Sequence, residues 1–101
     1  MTNTTTVSGT ATLVQYLTRE GQQGYRLAKS IEKADTMNLC VGGKNATLIK
    51  DKSLPVVNEG DDVEIIGVVN SRSGWMEVVV LNNRTSKLEW KFSRARAVFG
   101  L

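Results

Sequence analysis

The stretch from Asn58 to Leu81 constrains this chain more than any other. Asn58-Glu59-Gly60-Asp61-Asp62 is rich in turn formers. It leads into Val63-Glu64-Ile65-Ile66-Gly67-Val68-Val69, and Trp75-Met76-Glu77-Val78-Val79-Val80-Leu81 repeats that aliphatic character beyond Asn70-Ser71-Arg72-Ser73-Gly74. Val and Ile are stiff at the first side-chain torsion and suit a pleated surface rather than a helix. Two such runs joined by a loop of Asn, Ser and Gly predict a β-hairpin. In the first run Val63, Ile65, Gly67 and Val69 share one face and Glu64, Ile66 and Val68 the other, so its later half is apolar on both sides and needs cover on both. In the second, Trp75, Glu77, Val79 and Leu81 alternate with Met76, Val78 and Val80. Gly67 marks a sharp bend or a close backbone approach, or else is an ordinary small residue in a strand.

A chain of 101 residues has room for one domain. With 41% hydrophobic and 23% charged residues it has the make-up of a folded globular protein. No apolar run reaches membrane-spanning length and the N-terminus lacks the pattern of a signal peptide, so a cytoplasmic location without membrane contact is expected. Cys40 is the only cysteine and there is no histidine. An intramolecular disulfide is excluded, a cysteine metal cluster is not expected, and the usual general base and zinc ligand are missing. We therefore expect no enzyme activity, no cofactor and no metal, with Cys40 as a buried, inert thiol.

In chain order, Val7 to Tyr16 alternates over a length that suits one long strand, with Gly9 inside it. Such a strand can serve both halves of a closed barrel. Thr2–Thr6 reads as a frayed end or the edge of that strand. Thr18 to Gly24 is a polar, glycine-containing loop. Tyr25 to Ile31 alternates as a second strand, with a helix as the rival because the residues around Ile31 have fair helical propensity. Thr36 to Val41 is a third strand ending at Gly42-Gly43. From there to Glu59 the pattern weakens: Ala46 to Lys50 reads as a short strand or one helical turn, and Pro55 keeps its surroundings out of a central strand. Three Asn-X-Thr triplets, at Asn3, Asn45 and Asn83, read as chance matches to a glycosylation acceptor.

A long first strand, a loose connector between the third and fourth strands and a hairpin joining the fourth to the fifth together resemble the order of an OB-fold domain, a five-stranded Greek-key barrel. Two segments carry the likeness: Asn58 to Val69, which resembles the entry to the fourth OB strand, and Val7-Ser8-Gly9-Thr10-Ala11, which resembles the first. The resemblance covers roughly residues 6–85. It implies an all-β, five-stranded OB-like barrel over residues 1–86, followed by a C-terminal extension over 87–101. It also implies a binding face on the second and third strands, flanked by the loop after the first strand and the loop between the fourth and fifth. On this chain those positions are Arg19, Tyr25, Arg26, Lys29 and Asn38, with Arg72 and Trp75 around the second loop. Single-strand binders of this family stack bases on aromatic groups and track phosphates with basic ones. Here Tyr25 is the only aromatic residue of those two strands.

The excess charge lies at one end. Residues 87–101 carry a net charge of +3, and residues 1–86 are neutral. Arg84, Lys87, Lys91, Arg94 and Arg96 thus join the candidate nucleic-acid contacts. If the end is extended, Trp90 and Phe92 share a side with Arg94 and Arg96; the alternative is that the two rings cover the barrel. Two functions follow as expectations. One is a non-enzymatic module for nucleic acid, in particular a single strand. The other is a protein-interaction or structural barrel whose exposed valines, Val78 or Val80, meet a partner, with self-association open.

Overall fold

A computed structural model describes residues 3–92 of the chain. Seven strands form one sheet: β1 (Thr5–Arg19), β2 (Tyr25–Leu27), β3 (Thr36–Val41), β4 (Lys44–Ile49), β5 (Asp62–Val69), β6 (Met76–Asn83) and β7 (Leu88–Lys91). The order β1-β3-β4-β6-β5 returns to β1, so five strands close into a small all-β barrel. Every junction in this ring is antiparallel except β4–β6, which is parallel and pairs only Ala46 with Met76 and Thr47 with Glu77. β2 and β7 are added outside the ring, on β1 and β6.

β1 serves both halves of the barrel, as its length predicts. Thr5–Thr10 pairs with β5, and Ala11–Leu17 pairs with β3. Gly9 lies where β1 passes the β3–β4 turn: a Cβ there would stand 3.0 Å from the Gly42 nitrogen. The interior is aliphatic. Met37, Val41, Leu48, Val63, Ile65, Met76 and Leu81 are fully buried, in the alternation expected of strands packed on one face. Residues 50–61 contain no strand and close one end. Leu54 and Val57 are buried there, and the Tyr16 hydroxyl donates to the Pro55 carbonyl (2.7 Å) while accepting from the Val57 amide (2.9 Å).

The structure corrects several readings of the sequence. The run from Tyr25 is a strand only to Leu27, and Ile31–Lys33 is a 3-10 turn. Local turn bonds replace sheet pairing there, the Lys33 amide donating to the Ser30 carbonyl (3.2 Å) and the Ala34 amide to the Ile31 carbonyl (3.1 Å), and Ala34 is buried in the core. Residues 44–49, within the weakly patterned stretch, form the third strand of the ring, joined to β3 by Gly42 and Gly43 with φ of 56° and 78°. The second and third ring strands are therefore β3 and β4. In the central hairpin a bulge sets Ile66 against Val80 but Gly67 against Val78, with Val79 as the extra residue. Met76, Val78, Leu81 and Asn83 consequently point inward, and Val78, expected to be exposed, is buried. Cys40 lies half-buried on the outer face of β3 rather than in the core. The boundary expected at residue 86 falls in the turn before β7, a strand of the same sheet.

Candidate nucleic-acid interface

Directly paired residues of neighbouring strands carry their side chains on the same face. The registers of β1, β3 and β4 therefore lay out the convex outer sheet in rows. Thr12, Cys40 and Asn45 make the first row. Gln15, Asn38 and Thr47 make the second, which Glu77 of β6 extends. Leu27, Leu17, Thr36 and Ile49 make the third, and Arg19 with Tyr25 lies one step beyond. Amides and hydroxyls thus occupy the middle of the face, with one carboxylate at its side. The Asn38 Oδ1 is covered and has no hydrogen-bond partner. The third row is apolar except for Thr36: Leu27 and Ile49 at its two ends are 64% and 59% exposed, and Tyr25 next to Leu27 is 55% exposed.

Two loop regions bound this face. At one end stand the β1–β2 turn and residues 28–35, bearing Arg19, Tyr25 and Lys29, all exposed. At the other end stands the loop 70–75, with Arg72 exposed and Trp75 half-exposed. Asn70 orders that loop: its Oδ1 accepts from the Arg72 and Ser73 amides (2.9 and 3.2 Å), and its carbonyl accepts from the Gly74 amide (2.8 Å). The Asn45 row adjoins the start of β6, and Arg19 lies six strand residues away, so the two ends are about 20 Å apart at a strand's rise per residue.

The other expected contacts fall elsewhere. Arg26 pairs with Thr18, on the face opposite Tyr25, and forms an ion pair with Glu20 at 2.7 Å. Arg84 binds Glu64 (3.0 Å) and Asp62 (3.8 Å), and Lys91 binds Glu89 (3.5 Å). Lys87 is exposed in the β6–β7 turn with φ of 61°. Trp90 is buried, its indole N–H donating to the Ser53 carbonyl at 2.8 Å and its ring 6.4 Å from that of Phe92. The covering role is therefore the one Trp90 adopts, and its ring offers no free stacking surface. Arg94 and Arg96 lie outside the described residues.

Comparison with family models, curated proteins and solved structures finds no match. Among the described residues no group of three or more His, Cys, Asp or Glu side chains could hold a metal, and no helix is long and apolar enough to cross a membrane. Tyr16 and Asp61, both away from the outer face, are ionisable groups shifted by their surroundings. Burial pushes the Tyr16 hydroxyl pKa up, partly opposed by its bond from the Val57 amide and reinforced by Asp61. The Asn58 amide, followed by the Asn83 side chain, holds the Asp61 carboxyl below its ordinary value, partly opposed by burial. Asn83 is buried. It donates to Asp61 at 2.8 Å and accepts from the Thr85 and Ser86 amides, so this group braces the connector against the β6–β7 turn. Sequence reasoning missed Gln15, Thr47 and Leu13 on the outer face. For Gln15 and Thr47 the usable signal was the Gly42-Gly43 hairpin, which fixes the β3–β4 register.

Proposed function

We propose that this protein is a non-enzymatic OB-type module that binds single-stranded nucleic acid across the outer face of β1, β3 and β4. The observation that carries the reading is the ring order. A long first strand is shared between both halves of a closed five-stranded ring, which supports the OB-like reading. That order leaves a face between two loop regions, with Arg19, Tyr25 and Lys29 at one end and Arg72 and Trp75 at the other. Basic groups at both ends suit a backbone, and Tyr25 with Trp75 supplies a base-stacking surface at each. Exposed ion pairs such as that of Arg26 are weak and exchange readily with phosphate, so Arg26, Arg84 and Lys91 contribute to the field rather than to the binding face.

Three phosphate contacts, by Arg19, Lys29 and Arg72, give a log–log salt slope of about −2 for a single strand. Fluorescence anisotropy with a labelled oligonucleotide tests this. Binding that weakens with salt at that slope, and weakens further in Y25A and R72A, supports the reading; no binding at low ionic strength removes it.

The third row favours a second reading, a protein-interaction barrel, because Leu27 with Tyr25 at one end of it and Ile49 at the other are large apolar groups left exposed along one face. A stoichiometric protein partner that survives nuclease treatment and is lost in L27S/I49S would support it.

A further inference from the structure

Leu13 is the one non-glycine strand residue with a positive φ, 53°, among the described residues, and its side chain is 71% exposed. It sits where the β1–β3 register slips. Thr12 opposes Cys40 and Gln15 opposes Asn38, so Leu13 and Val14 together face the single residue Leu39. The bulge itself has a structural cause, since β1 must turn there from β5 to β3. The leucine does not share that cause. A bulge residue in the left-handed region favours glycine, and γ-branched leucine gains nothing there from its backbone.

The strain is held by its neighbours. The Val14 amide donates to the Glu59 carboxylate, Gly60 donates to the Ala11 carbonyl at 2.8 Å, and Ala11 donates to the Asp61 carbonyl at 2.8 Å. Residues 59–61 thus fix the bulge on both sides, and the isobutyl group projects from the outer face between Thr12 and Gln15. A strained, rigidly supported and exposed side chain is what a binding surface retains at the expense of stability.

From this placement we infer that Leu13 is the base-packing residue in the middle of the single-strand-binding face, an inference that rests on the reading proposed above. The middle of that face has no aromatic side chain. Amides and hydroxyls there can bond base edges, but they give a base plane nothing apolar to lie on. Leu13 provides that surface, two residues before Gln15, which pairs with Asn38, and basic residues stand in the loops at both ends to direct a polyanion across it.

Two variants separate the roles. L13G removes both strain and side chain, whereas L13A removes the side chain and keeps the backbone strain. With a short labelled oligothymidylate at fixed low salt, both should bind on the order of fivefold more weakly than the parent, the low end of one base contact. L13G should nonetheless melt a few degrees higher than the parent, and the Leu13 methyl resonances of the parent should shift on oligonucleotide addition. If the parent binds and both variants bind equally well, Leu13 is no contact and the binding module stands. If the parent does not bind, both inferences fall. An L13G variant that melts lower than the parent overturns the premise that the bulge is strained.

Discussion

A Cβ placed on Gly67 would overlap the Glu77 carbonyl and stand 2.9 Å from the Val78 Cα, both of them backbone groups that cannot swing aside. The glycine is therefore where the bulged ribbon of β5 and β6 closes on itself, and Gly67→Ala should cost about 3 kcal/mol or more through forced backbone displacement. Urea unfolding would read this as a lower midpoint at an unchanged slope. Asp61 makes a prediction of a different kind. Its carboxyl pKa is lowered in the folded state, so the stability it contributes is complete above the unfolded value near pH 4. That contribution is lost as the pH falls through the lower native value. Midpoints measured between about pH 2 and 5 should therefore drop for the parent and drop less steeply for D61N, which cannot ionise.

β7 and the connector 50–61 show how elements outside the ring stabilise it. Trp90 is buried against the core and bonded to Ser53, so W90A should cost about 3 to 5 kcal/mol, as removal of a large buried aromatic side chain does. A chain ending at residue 86 should be destabilised by at least as much, since it loses the same ring and the whole of β7. Tyr16 fastens the other end of the connector with two hydrogen bonds, and Y16F should cost about 1 to 3 kcal/mol by leaving the Val57 amide without its acceptor. These elements also show what the sequence could disclose. The central hairpin and the long β1 were legible because β-branched, alternating runs have local causes, whereas the sequence marked Gly67 without deciding between a bend, a close approach and an ordinary strand glycine. β4 was obscured because its inward residues are only Ala46 and Leu48, so its apolar signal is thin, although Gly-Gly between two alternating runs marks a tight hairpin. The inversion of facing after Val79 and the exposed bulge at Leu13 left no local trace, because both arise from register against strands distant in sequence. Trp90 and Phe92 alternate in a way that fits an extended arm and a covering strand equally, and only the packing partner decides between them.

Taken whole, the barrel has one seam unlike the others. β1–β5 and β5–β6 are held by six and seven register pairs, whereas the ring closes between β4 and β6 through two. Parallel pairing is also the less stable kind per residue, and among the described residues β4 beyond Thr47 has β3 as its only strand partner. Local opening should therefore begin at this seam, with the three-residue β2 opening more readily still. Amide hydrogen exchange should show protection that is greatest for Val63, Ile65 and Leu81 and clearly lower for Leu48 and Ile49. The outer face of β3 and β4 belongs to the compliant side of the molecule, while the β1–β5–β6 side keeps it anchored. A ligand spanning the rows from Asn45 to Ile49 would tie β4 to its neighbours, so an oligonucleotide bound across this face should slow exchange at Leu48 and Ile49 more than at Val63. Uniform protection around the ring, or equal slowing on both sides, would mean that closure is as firm at the parallel seam as elsewhere.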